Sequence, residues 1–69
     1  VEVDTPILVR NYEADSWEVR YFARYENGKV WCWNGGKTSY TIIYATDIYT
    51  WDFTKLPTPE ELEQYRKKA

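Results

Sequence analysis

The chain has 69 residues, 43% of them hydrophobic and 29% charged, with eleven acids against nine bases for a net charge of −2. This size and balance predict one small folded domain over 1–69, near the lower limit for a chain that folds alone. They argue against a general electrostatic grip on nucleic acid, which shows as a basic excess, and no apolar run approaches the ~20 residues of a membrane-spanning helix.

Val1 to Asp4 alternates apolar and acidic residues and reads as a short strand or an extended tail. Pro6 opens a strand through Ile7-Leu8-Val9, its missing N–H being tolerated at a strand start or a sheet edge. Asn11 to Ser16 is polar and turn-prone. The strongest signal is Trp17 to Trp33, where two aromatic and β-branched runs flank Asn27-Gly28. An Asn-Gly pair in that setting is a hairpin cue, because both residues tolerate the positive φ of a type I′ turn.

A two-residue loop pairs Glu26 with Lys29, Tyr25 with Val30, Arg24 with Trp31, Ala23 with Cys32 and Phe22 with Trp33. Trp17, Val19, Tyr21, Ala23, Tyr25, Val30 and Cys32 then form the core face, with Trp51 joining them. Glu18, Arg20, Phe22, Arg24, Trp31 and Trp33 form the other. A three-residue loop with a bulge at Gly28 instead slips the register by one and turns Val30 and Cys32 outward. The two-residue loop is preferred, since it buries Cys32 and sets Glu26 opposite Lys29.

Asn34-Gly35-Gly36-Lys37 is a second turn. Thr38 to Tyr44 reads as a third long strand from its β-branched and aromatic content. After a turn at Ala45-Thr46-Asp47, Ile48 to Thr54 alternates again. The period then changes. Thr58 as N-cap, Pro59 at the first helical position and Glu61 closing a capping box start a helix over about 58–68, with Arg66, Lys67 and Lys68 at its solvated end. The fold class is therefore mainly β: a small antiparallel sheet, or a barrel of the Src-homology-3 or Tudor kind, of four to five strands with a short C-terminal helix.

The chemistry-bearing residues are few. There is no His, which removes the commonest general base and metal ligand. The single Cys, Cys32, forms no internal disulfide and, between Trp31 and Trp33, reads as a buried structural residue. Gly28, Gly35 and Gly36 are turn glycines rather than a phosphate-binding loop. Thr38 to Thr41 is a hydroxyl-rich run that reads as a solvent-facing strand edge. The expectation is a non-enzymatic protein with no cofactor and no metal.

The string from Trp17 to Tyr40, with Pro6 to Asn11 before it and Trp51 to Pro57 after it, resembles small hypothetical proteins encoded by bacteriophages and prophages. The shared pattern is W-x-x-R-Y-F-A-x-Y-E-N-G-K-V-x-C-W-x-x-G-x-T-S. The resemblance implies an accessory protein of the bacterial host cytoplasm and carries over no functional residues.

The candidate binding surface is the outward hairpin face, where Phe22, Trp31 and Trp33 accompany Arg20 and Arg24. Trp, Tyr and Arg dominate binding hot spots, and Arg24 beside Trp31 is a cation–π pair. The expected partner is a host or phage protein. The alternatives are a small nucleotide signal held in an aromatic pocket, with or without homo-oligomer formation, and a structural role in a phage assembly.

Overall fold

A computed structural model describes residues 1–67; Lys68, expected at the helix end, lies outside the described residues. Five antiparallel strands make one sheet, β1 (Pro6–Arg10), β2 (Glu18–Glu26), β3 (Lys29–Trp33), β4 (Ile48–Thr50) and β5 (Phe53–Lys55), in the order β4-β3-β2-β1-β5. One helix, α1 (Pro59–Arg66), follows. The mainly β expectation with a short C-terminal helix holds.

The two edge strands are consecutive in sequence. Only Trp51 and Asp52 separate β4 from β5, so Thr50 and Phe53 lie at most about 11 Å apart along the chain. A flat five-stranded sheet holds its edges about 19 Å apart. The sheet must therefore curl until its edges approach at this corner, although no pairing joins β4 to β5 among the described residues.

The Asn27-Gly28 turn forms as the residues dictate, with φ of 54° and 73°. Glu26 pairs with Lys29, Tyr25 with Val30 and Arg24 with Trp31. Beyond that the expected register fails, because a β-bulge lies between Phe22 and Arg24 and sets Phe22, not Ala23, opposite Cys32. A bulge adds one residue to one strand and exchanges its faces. Phe22, expected on the outer face, is buried with Ile7, Val9 and Cys32, and Val30 and Trp51 pack against that cluster. Tyr25, expected in the core, is 67% exposed. Trp17 and Tyr21 are half-buried on the opposite face. There the guanidinium of Arg10 stacks 4.1 Å from the Trp17 ring centre and the Lys55 ammonium lies 5.2 Å away. Arg66 donates to the Tyr21 hydroxyl at 3.2 Å, which ties α1 to this face.

Cys32 is fully buried, and burial pushes its thiol up to about 11, against a smaller opposing pull from Arg20. At neutral pH it is a packed thiol rather than a nucleophile.

Two strand expectations are corrected. Thr38 to Tyr44 is a loop, not a strand. The Thr41 hydroxyl accepts from the Thr38 amide at 2.8 Å, and the Thr41 and Ile42 amides return to the Thr38 carbonyl at 3.1 and 3.0 Å. These local bonds compete with a sheet ladder and win. Ile48 to Thr54 is two strands, not one, split at Trp51-Asp52 and placed on opposite edges. The helix start is as expected. Thr58 Oγ accepts from the Glu61 amide at 3.2 Å, and Glu61 accepts from the Thr58 amide at 3.1 Å.

Asp4 fastens the long loop to the sheet. It adopts φ of 71°, a left-handed conformation that Asp tolerates better than most residues. Its carboxylate accepts from the Trp33 indole at 3.0 Å, from the Ser39 amide at 2.8 Å and from the Ser39 hydroxyl. The Ser39 hydroxyl is the largest cause holding this carboxyl below its ordinary 3.8; partial desolvation opposes it, and the Ser39 amide and Trp33 indole add to the lowering. A lowered carboxyl stabilises the fold above its unfolded value and loses that contribution as the pH falls through the lowered one. Asp4→Ala is expected to shift Trp33 emission to the red and to speed exchange of the Ser39 amide at pH 7. In the unaltered protein the same changes should come on only below about pH 4.

Candidate functional site

The five residues of the expected hairpin face do not form one surface. Arg24 and Trp31 are cross-strand neighbours, but Arg24 is exposed and paired with Glu26 at 3.1 Å. The Trp31 indole donates to the Glu26 carbonyl at 3.2 Å, lying along the hairpin. Phe22 is in the core. Arg20 and Trp33 come together in a different place, in one of two clefts beside the 3-10 turn Asn34–Gly36, and Arg20 alone of the five also lines the other.

These clefts arise from unequal hairpin arms. β2 has nine residues and β3 five, after which Asn34-Gly35-Gly36 turns the chain away. β3 pairs with β2 only as far as Phe22, while β1 pairs with Glu18 to Tyr21 on the other side. Among the described residues the first half of β2 therefore has a strand on one edge and none on the other.

A cleft of about 510 Å³ opens there. One wall is six consecutive residues, Ser16 to Tyr21. Successive strand residues point to opposite faces, so an unbroken run lines a cleft only when the edge of the strand looks into it. The Phe22 amide donates to the Thr5 carbonyl, on the β1 side, at 2.9 Å. Alternation then directs the Val19 and Tyr21 amides into the cleft. The opposite wall is Gly35-Gly36 and the end of α1, Tyr65 and Arg66. Both glycines take positive φ, 62° and 78°, and a methyl on either would meet nothing within 4 Å. The space in front of them is open.

The second cleft, about 310 Å³, is lined by Asn11, Trp33, Asn34, Tyr49, Thr50 and Trp51. Arg20 and Gly35 line both and mark where they meet. Arg20 donates to the Val19 carbonyl at 2.8 Å and to Glu18 at 3.1 Å, and its guanidinium lies 5.5 Å from the Trp51 ring centre. Glu18 offsets one of the two arginines, Arg20 and Arg66, so the first cleft carries a net positive charge. An anionic group on an extended segment would find both arginines within it.

The open β2 edge, Tyr49, Trp51, Tyr65 and Arg66 were missed by residue reasoning. A signal for the edge exists in the sequence: ten residues precede Asn27-Gly28 from Trp17, and only five follow before Asn34-Gly35-Gly36. Among the described residues no three His, Cys, Asp or Glu gather in a metal-binding cluster, and no helix is long and apolar enough to cross a membrane. Comparison of the chain with family models, with curated proteins and with solved structures finds no match.

Proposed function

We propose that this protein is a non-enzymatic binding module that recognises a partner protein by accepting an extended segment alongside β2. The observation that carries this reading is the unbroken run Ser16 to Tyr21 facing a cleft, with no strand beside it on that edge among the described residues. Strand addition to an open edge draws affinity from backbone hydrogen bonds and selectivity from alternate side-chain pockets. Arg20 and Arg66 favour an acidic side chain on the segment, and the rings of Trp33, Tyr49 and Trp51 favour an aromatic or apolar one beyond it. The resemblance to phage and prophage proteins makes a host or phage protein of the bacterial cytoplasm the expected partner.

Selection of random peptides displayed against the protein should enrich extended sequences with at least one acid. N-methylation of alternate residues in an enriched peptide should then abolish binding at one parity and spare it at the other, because only every second amide of an added strand faces the ladder. Absence of enrichment, or equal tolerance at both parities, overturns the reading.

A second reading, a small nucleotide signal as ligand, draws on the smaller cleft, which Trp33, Tyr49 and Trp51 line together with Arg20, the Trp51 ring centre lying 5.5 Å from the guanidinium. It expects the melting temperature to rise with added nucleotide and no parity in the peptide experiment.

A further inference from the structure

We propose that Arg20 caps the open edge of β2 in the free protein, and that a carboxylate on the incoming segment draws it away. Arg20 thereby selects acidic segments over neutral ones; the inference rests on β2 being the strand that receives the segment. The N–H and C=O of one strand residue point to the same edge. The Val19 amide faces the cleft, so the Val19 carbonyl faces it too. That carbonyl is already taken, because the Arg20 guanidinium donates to it at 2.8 Å. Val19 sits at the middle of the run from Trp17 to Tyr21 that lines the cleft. An added strand needs this acceptor to complete its ladder.

An edge without a partner calls for such a cap. A bare row of N–H and C=O groups is a template for indiscriminate pairing, and charged side chains are a common way to blunt it. The cap is held lightly. Arg20 also pairs with Glu18 at 3.1 Å, but the Glu18 carboxylate is half-exposed, and an ion pair so open to water is weak. The Arg20 Nε is buried and finds no acceptor among the described residues, which makes this position less favourable than a fully satisfied one. A carboxylate entering the cleft offers both its oxygens to the guanidinium fork. The guanidinium then turns from Val19 and Glu18 to the ligand, and the Val19 carbonyl passes to the added strand. Arg66, on the opposite wall, attracts the same carboxylate. It donates to the Tyr21 hydroxyl and to no carbonyl of β2 among the described residues, so it caps nothing.

The test takes an acidic peptide from the display selection and the same peptide with its acid replaced by the matching amide. Both are titrated calorimetrically into the parent, Arg20→Met and Arg66→Gln. The parent should prefer the acidic peptide by roughly tenfold or more. Arg20→Met should shrink that preference to a few-fold. It should also bind the amide peptide roughly three- to tenfold more tightly than the parent does, because the Val19 carbonyl is now free. Arg66→Gln should weaken the acidic peptide a few-fold and leave the amide peptide unchanged. Simple attraction of charges, or a purely structural role for Arg20, gives no gain for the amide peptide. Absence of that gain in a variant with native circular dichroism overturns the proposal. Should Arg20→Met lose the native spectrum, Arg20→Lys replaces it: an ammonium cannot hold Val19 and Glu18 in one fork, and the gain should be smaller but of the same sign. If N-methylation parity holds while the gain is missing, strand addition stands and the cap falls. If no peptide is selected, both fall.

Discussion

Replacing Phe22 with Ala is expected to remove roughly 3–4 kcal/mol of stability, a large share of the roughly 3–10 kcal/mol that a chain of this length holds in all. The size of the effect follows from the β-bulge. Without it, Phe22 would stand on the outer face beside Arg24, and its removal would cost little. With it, Phe22 closes the cluster of Ile7, Val9 and Cys32 and is nearly inaccessible. Arg24→Ala two residues along is the internal control. Its partner Glu26 and its own side chain are both exposed, so a change below about 1 kcal/mol is expected. Urea denaturation of the two variants compares them. Equal, small losses would mean that the hairpin runs unbulged and that the core face is the other one.

Alkaline pH should destabilise the protein through Cys32. Its folded value is raised to about 11 from an ordinary 9.0. A raised value on an acid means that the native state holds the proton more tightly than the unfolded chain does. The associated stability is complete below about pH 9 and drains away as the pH climbs toward 11. The full shift would convert to more, but no group in so small a domain lies far from water, and a loss of about 1–2 kcal/mol is expected. The quantity to measure is the difference between the parent and Cys32→Ala, which isolates the thiol from every other effect of alkaline pH. That difference should narrow between pH 8.5 and 11. A difference independent of pH would show that the thiol is not held neutral by the core.

Local chemistry was legible where it was self-contained. Asn27-Gly28 has only one inexpensive way to turn a hairpin, and Thr58-Pro59-Glu60-Glu61 satisfies its own orphan amides. Pro6 marked the start of β1 for the same kind of reason. Features set by competition between distant segments were not legible. Thr38 to Tyr44 has strand composition, yet its hydroxyls bond within the segment and Ser39 is claimed by Asp4, 35 residues away. Ile48 to Thr54 alternates as one strand would, and only the need to reach both edges of a curled sheet breaks it at Trp51-Asp52. The bulge at Ala23 leaves no residue signature, since Phe-Ala-Arg suits either geometry. It scattered the expected binding face, leaving Arg20 and Trp33 at the clefts, Arg24 and Trp31 along the hairpin and Phe22 in the core. The unequal arms of the hairpin were on view in the residue count, and they are the origin of the open edge.

Native-state hydrogen exchange of the free protein, read amide by amide along β2, tests the open edge most directly. Arg20 and Phe22 should be protected, because their amides point to β1. Val19 and Tyr21, at the alternate positions, should exchange much faster, giving an alternating pattern from Val19 to Phe22. Uniform protection of all four amides would contradict it, since the edge would then already be filled and no segment could be added to it.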